Sequence, residues 1–387
     1  MPRVKSWVEI AGARLAENLR AVQSAAGAEV EVLAVVKANG YGHGATVVAP
    51  VLVEADARWL GVSDVDEGVA LRSVLGEQPR ILVMCGMEPG DAPALVAHGL
   101  TPVVWTVEHV AAMEAAAQAE GSERVAVHLE IDTGMARQGA ALGGDLAQVL
   151  ERLVASRWVF CEGVMSHLSS SEFAGSAVTH TQQERFAQGL EQVAAAGVRP
   201  QFVHLGNTSA VDEGSTMAWL RAAAERLGAR EMVRTGIAMF GECLAIEGET
   251  AHGELAGRLL PVMTWKTRIV GLRTIEAGAT VGYGATFVAG APMRLALLPV
   301  GYADGFRREA SSGIGDGWVM VRSARAAVVG RVSMNLTVVD VTAIPGVRVG
   351  DEAVLLGDGV SAQDHARWCG TIPYEILCGV RARFELR

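Results

Sequence analysis

At 387 residues, 50% of them hydrophobic, the chain is longer than one hydrophobic core usually serves, so two domains or a barrel with an appendage are expected. A formal net charge of −10 leaves no basic footprint for nucleic acid or an anionic membrane. The five cysteines, Cys85, Cys161, Cys243, Cys369 and Cys378, are odd in number and lack a CxxC spacing, which argues against a disulfide framework or a zinc site and fits a reducing compartment.

The opening "MPRVKSWVEI" lacks the apolar run of a secretory signal, and no apolar run reaches membrane-span length, so a cytoplasmic protein is expected. "ARLAENLRAVQSAAG" then places Leu15, Leu19 and Val22 on one face of an amphipathic helix. From about residue 29 to 236, short apolar runs alternate with helical stretches. The runs are "VEVLAVV" ending at Val36, "WLGVS", "RILVMCG" and "TPVVW", followed by "VAVHLEI", "VFCEGVMS", "QFVHLG" and "EMVRTG". Between them, "DVDEGVALRSVLG", "TVEHVAAMEAAAQAEG" and "TQQERFAQGLEQVAAAG" carry the alanines, leucines and closing glycines of helices. Eight such units predict a closed (β/α)8 barrel of parallel strands, with a doubly wound open sheet as the rival.

Beyond about residue 247 the texture changes. "RLALLPVGYADG", "WVMVRSARAAVVGRVSMNLTVVDVT" and "DEAVLLG" read as strands broken by glycines, with little helix. The expected division is residues 1–247 as barrel, with the first residues set against the second domain, and 248–387 as a mainly β domain. The polar, glycine-bearing "AIEGETAHGELAG" marks the boundary.

In a barrel, chemistry gathers where strands end. Lys37 follows the first run, Arg137 the fifth and His167 the sixth; Asn207 and Thr208 follow the seventh, and Arg234 and Gly236 lie at the eighth. Neither an acidic pair nor a cluster with metal-ligand spacing accompanies them. A lysine in apolar surroundings favours its neutral amine, a nucleophile toward carbonyls. For a single lysine the blander account is a snorkelling side chain at a strand edge. Gly40, Gly42 and Gly44, which permit tight turns, and donors suited to an anionic cofactor favour the chemical account.

Taken together, "AVVKANGYGHGA", "VHLEIDTGMARQG", "MVRTGIAMFG", "VGYGATF", "GYADGFRR", "GRVSMN" and "TIPYEILCGVRAR" closely resemble the bacterial alanine racemases, in order over nearly the whole chain. The resemblance implies pyridoxal 5'-phosphate as cofactor, a barrel followed by a β domain, and interconversion of L- and D-alanine, which supplies D-alanine for peptidoglycan. It makes Lys37 the cofactor lysine and one of two racemising bases. Tyr283 in "VGYGATF" matches the other. Inverting a Cα centre requires a proton taken from one face and supplied at the other, so two groups must flank the substrate. A tyrosine needs help to act as a base, and His167 and Arg234 look like that help. Without the resemblance, Tyr283 reads as a turn aromatic, Arg234 as half of a surface ion pair, and His167 or His204 as a core histidine.

By the same resemblance, Arg234 faces the pyridine nitrogen, donates to it and weakens the ring as an electron sink. His204 and His167 hydrogen-bond around it. The other cofactor-binding residues implied are Tyr41, Asn207, Thr208, Gly236, Ile237, Tyr374 and Arg137, the phosphate falling to Tyr41, Thr208, the Gly236 and Ile237 backbone, and Tyr374. Substrate binding falls to Arg137, the Met334 backbone, Tyr283 and Tyr302. Tyr302 and Tyr374 resemble a narrow inner gate, with Arg308 and Arg331 further out. In this family the β domain serves the lysine of the other subunit, so a homodimer with shared active sites is implied, acting on a small amino acid.

Three departures stand out. Glu130 in "VHLEIDTG" occupies a position where many relatives have a carbamylated lysine, and it is expected to orient Arg137 by direct pairing; the plainer account is a strand glutamate facing solvent. Asn335 and Ser333 stand where aspartate and cysteine are common. The segment "SAVDEGSTMAWLRAAAERLGAREM" is longer than usual, its helix "TMAWLRAAAERLG" read as surface decoration. Competing functions are a serine or broad-specificity racemase, a pyridoxal-phosphate decarboxylase on a similar scaffold, and a non-catalytic cofactor-binding protein. Tyr283 and an arginine at the ring nitrogen count against the decarboxylase, which wants a strong sink.

Overall fold

The computed structural model describes residues 5–248, 253–255 and 257–387. By contact, the chain forms two compact units. One holds the described residues through Gly12 with Tyr41–Val47 and Pro261–Arg387; the other holds Ala13–Gly40 and the described part of Val48–Leu260. The boundary segment "AIEGETAHGELAG" lies partly outside the described residues.

The larger unit is a closed barrel. Its strands are β1 (Glu31–Val35), β2 (Trp59–Val62), β3 (Arg80–Val83), β4 (Thr101–Val104), β5 (Val125–Asp132), β6 (Val159–Met165), β7 (Phe202–His204) and β8 (Arg230–Thr235). Each pairs in parallel with the next, and β8 returns to β1 with Arg234 opposite Leu33. All eight coincide with the apolar runs, because strands covered on both faces must be apolar throughout; every residue of β1, β2 and β4 is buried. The open-sheet alternative is excluded by the β4–β5 pairing that closes the ring.

Helices follow the strands, and their starts are fixed locally. Asp64, Thr106 and Ser176 each accept a backbone N–H three residues on, capping Val65–Leu75, Val107–Ala119 and Ala177–Ala195. The helix Ser215–Leu227 corrects the expectation of surface decoration. Thr216, Met217, Leu220, Ala223 and Ala224 are buried, and Trp219 stacks on Phe186 at 6.0 Å, so it is the barrel's own helix between β7 and β8.

The smaller unit is mainly β. A six-stranded sheet runs Ala324–Ala327, Trp318–Val321, Glu352–Leu356, Met263–Arg268, Ser6–Ile10, Arg383–Leu386, so the described start of the chain lies between strands from its end. Gly271–Ile275, Met293–Leu298 and Thr337–Asp340 form a second sheet, and Val281, Leu295 and Val329 make a small core beside it. Two helices, Ala362–Cys369 and Pro373–Cys378, complete the unit, the second formed by "PYEILC". Among the described residues, no helix is long and apolar enough to cross a membrane, and no cluster of histidine, cysteine and carboxylate could hold a metal.

Candidate active site

Val36 continues the β1 pairing by donating to Gly61 O at 2.8 Å, and Lys37 follows it half-buried. The backbone then takes positive φ for five successive residues: Ala38 (φ 53°), Asn39 (φ 54°), Gly40 (φ 65°), Tyr41 (φ 50°) and Gly42 (φ 78°). Glycine takes this conformation freely and asparagine tolerates it, whereas for alanine it costs about 1–2 kcal/mol. The turn is held by Gly40 N–H to Val36 O at 2.7 Å and by Asn39 N–H to Glu67 Oε1 at 3.1 Å. Glu67 also accepts from the Ser63 amide and hydroxyl at 2.9 and 2.6 Å, which ties the lysine turn to the end of β2. Strain held by surrounding bonds is a mark of a functional site. Among the described residues the Lys37 ammonium has no hydrogen bond or ion pair, so the turn presents it uncommitted.

Arg234 projects from β8 into the barrel and is almost wholly buried. Its Nη2 donates to Ser166 O at 2.7 Å and faces His167 Nδ1 at 3.1 Å, while Nη1 faces His204 Nδ1 at 3.2 Å. Burial, with Arg137 nearby and Glu130 partly offsetting, lowers the guanidinium to about 10, so it stays charged at neutral pH. Burial and then the charges of Arg234, Arg137 and Lys37 press His167 down to about 3. His204 is likewise held well below its ordinary value by burial, His128 and Arg234. Both imidazoles are therefore neutral, and each offers a lone pair at Nδ1 to a group that can only donate.

Glu130 is buried in β5, so the solvent-facing alternative is excluded. Burial raises its carboxyl group, against the hydrogen bond from Gln138 and the charges of Arg234 and Arg137. The expected pairing of Glu130 with Arg137 does not form. Gln138 donates to Glu130 Oε2 by a short hydrogen bond and reaches Met84 O at 2.9 Å, whereas Arg137 is exposed. The cause is local: Gly134 (φ 129°) and Ala136 (φ 56°) swing the segment so that Gln138 meets the carboxylate.

At the ends of β7 and β8, Thr208 Oγ1 accepts from Gly236 N–H at 3.3 Å, and Ile237 opens a 3-10 turn whose first N–H groups have no helical acceptor. Asn207 caps the helix Thr208–Glu213; its Oδ1 accepts from Ala210 N–H at 3.0 Å and Ser171 Oγ at 2.8 Å. The structure thus brings Lys37, Glu130, Arg137, His167, His204, Asn207, Thr208, Arg234, Gly236 and Ile237 into one unit, at strand ends and the barrel interior.

The remaining candidates belong to the other unit. Tyr41 is buried with its ring 6.1 Å from that of Tyr374. Gly42 beside it (φ 78°) admits no side chain, since a Cβ would lie 2.0 Å from Leu377 O. Tyr283 stands in a tight turn between Gly282 (φ 76°) and Gly284 (φ 72°), and Arg331 lies against both glycines. Tyr302 N–H donates to Ser333 O at 3.1 Å and Ala303 N–H to Met334 O at 2.9 Å, which fixes Tyr302 beside Met334. Arg308 is exposed and begins the 3-10 turn Arg308–Ala310, whose last residue, Ala310, is buried.

Sequence reasoning missed Gln138, Ser166, His128, Glu162 and Arg80. A signal existed for two of them: His128 in "VAVHLEI" and Glu162 in "VFCEGVMS" are polar residues inside runs that must be buried, where such residues need partners.

A half-buried lysine just past one barrel strand and a buried, charged arginine on the neighbouring strand fit the class of (β/α)8 barrel enzymes. Comparison with known proteins specifies it further. Residues 10–243 match the family described as "Alanine racemase, N-terminal domain" and residues 262–387 "Alanine racemase, C-terminal domain". The chain is 38% identical over 384 residues to an alanine racemase of Symbiobacterium thermophilum, covering 98% of this chain and 95% of that one. It superposes on the alanine racemase of Streptomyces lavendulae with a TM-score of 0.87 at 31% identity, covering 100% and 98% of the two chains. The alanine racemase of Bartonella henselae, solved with covalently bound pyridoxal phosphate, matches with a TM-score of 0.83 at 25% identity over the full length of both. The chain belongs to the alanine racemase family, whose members are pyridoxal-phosphate-dependent isomerases.

Proposed function

We propose that this protein interconverts L- and D-alanine by a two-base exchange, with pyridoxal 5'-phosphate attached at Lys37. The observation that carries the reading is Arg234: a buried, permanently charged donor held between two neutral histidines, on the strand next to the uncommitted lysine. The residues fit the cofactor. A ring nitrogen needs a donor, a phosphate needs hydroxyl and backbone N–H groups, and a carbonyl carbon needs an amine; Arg234, Thr208 with Gly236 and Ile237, and Lys37 are these groups. When bound, the cofactor supplies the electron sink that makes the substrate's α-proton removable.

The chain's own residues do the rest. Arg234 keeps its proton, so the sink stays weak and the α-carbon is reprotonated rather than diverted. Lys37 moves the proton on one face and Tyr283 of a second subunit moves it on the other. Arg137 and the Met334 backbone bind the substrate carboxylate, while Tyr41 and Tyr374 contribute to the phosphate site. Glu130, through Gln138, shapes the loop carrying Arg137. Tyr302 and Tyr374 narrow the entrance, with Arg308 and Arg331 outside it, and so favour a small side chain. The product serves as D-alanine for peptidoglycan, and the enzyme works in the cytoplasm.

A homodimer is supported by exposure. Tyr283 is 72% and Met334 56% exposed, with Tyr302 and Leu336 also exposed, an apolar set that a second copy covers. Mixing inactive Lys37→Ala and Tyr283→Phe chains tests this. Sites shared across subunits restore about a quarter of wild-type activity after random exchange; sites built within one chain restore none. Turnover of alanine, serine and lysine compared side by side tests the substrate, with alanine expected to lead.

A further inference from the structure

Behind Arg234, the barrel interior holds polar groups that a (β/α)8 core does not need for packing. His204 Nε2 on β7 lies 2.9 Å from His128 Nδ1 on β5, and His128 Nε2 lies 3.4 Å from Glu162 Oε2 on β6. Glu162 in turn grips Arg80 at the start of β3, Nη1 to Oε1 at 2.9 Å and Nη2 to Oε2 at 2.6 Å. Both histidines are 0% exposed and Glu162 is 3% exposed. The backbone is shaped to the first ring, since a Cβ on Gly163 would lie 2.6 Å from His128 Nδ1. Trp59 closes the other side, its ring 5.3 Å from that of His128.

The direction of donation along this chain is forced from both ends. Arg234 can only donate, so His204 Nδ1 must carry a lone pair and the ring's proton sits on Nε2. An ionised Glu162 can only accept, so His128 must carry its proton on Nε2 and offer Nδ1 to His204. The two requirements agree: Arg234 to His204 to His128 to Glu162, with Arg80 donating to Glu162 from the far side. Burial would raise Glu162, but hydrogen bonds from His128 and Arg80 and the Arg80 charge hold it below its ordinary value, so it stays an acceptor. Reversing the chain would set His204 Nδ1–H against an arginine N–H, two buried donors facing each other.

We propose that Glu162, held by Arg80, is a positioning residue for Arg234, acting through the fixed tautomers of His128 and His204 to make His204 Nδ1 an obligatory acceptor for the guanidinium. The functional part rests on Arg234 being the cofactor's ring partner; the tautomer part does not. Nitrogen-15 NMR of ring-labelled histidines in the cofactor-loaded protein tests it, with resonances assigned from His128→Gln and His204→Gln. Both wild-type rings should be protonated at Nε2 alone at neutral pH. A proton on Nδ1 of either, or an imidazolium, overturns the proposal. Glu162→Gln replaces an acceptor with an amide that can also donate, so His128 should lose its single tautomer and kcat should fall about tenfold at nearly constant KM. Glu162→Asp, which restores the charge, should recover part of that loss. Unchanged tautomers and kcat in Glu162→Gln, with only a lower Tm, reduce the pair to a structural role and overturn the proposal. Stated tautomers in a protein that does not racemise alanine would instead remove the functional reading.

Discussion

At the scale of single residues, the account turns on two side chains with different duties. Lys37→Ala should abolish the visible absorbance of bound cofactor together with racemisation. Tyr283→Phe should keep the absorbance and lose racemisation by about a hundredfold or more, a typical size for a lost proton carrier. Retained activity in both variants contradicts the assignment of bases. A lone lysine at a strand end reads first as a snorkelling side chain; what singles out Lys37 in the sequence is the glycines that follow it, the donors at the other strand ends and the family resemblance. The partner of Glu130 was not legible there. The expectation of Arg137 followed from the resemblance, in which a carbamylated lysine at this position orients the neighbouring arginine, whereas the side chain that meets Glu130 is Gln138, in a segment with positive φ at Gly134 and Ala136. His128 and Glu162 each interrupt an apolar run, but their partners lie on other strands, and local pattern does not reveal a contact made across the barrel. Gln138→Leu should leave a buried carboxylate without its donor and cost about 1–3 kcal/mol in a denaturant titration, more than a surface change.

At the scale of elements, the left-handed turn after β1 is the feature most open to test. Ala38 is exposed and strained at φ 53°, so Ala38→Gly should raise stability by about 1 kcal/mol while leaving the hydrogen bonds of the turn intact. Gly42→Ala should do the reverse. Its positive φ and the Leu377 carbonyl at 2.0 Å leave no room for a methyl group, and a loss above about 2 kcal/mol is expected. Thermal melts of the two variants against the parent read both signs. The eight strands were legible because double-sided burial writes itself as continuous apolar runs. The helix Ser215–Leu227 was found but misplaced: its pattern shows an apolar face without showing that β7, β8 and Phe186 lie beneath it. The handedness of the Lys37 turn is signalled by Gly40 and Gly42 and tolerated by Asn39, whereas Ala38 carries no mark of it.

At the scale of the whole molecule, buried neutral histidines couple folding to pH. His167, His204 and His128 all titrate below their ordinary value of 6.5 when folded, His167 at about 3, so below pH 6.5, and for His167 down to about pH 3, the unfolded chain binds protons that the folded chain does not. Their contribution is present above pH 6.5 and is lost as pH falls, at roughly 1.4 kcal/mol per pH unit for each such proton. Tm should therefore drop steeply between pH 6 and 5, and His167→Asn should flatten the drop.

The central claim is the exchange of a proton at the α-carbon of alanine, and one measurement bears on it directly. Purified protein loaded with pyridoxal 5'-phosphate is incubated with L-alanine in heavy water, and deuterium at Cα is followed together with optical rotation. The account predicts that both change, with deuterium entering as rotation decays to zero. Alanine recovered with its proton and its rotation intact would contradict it.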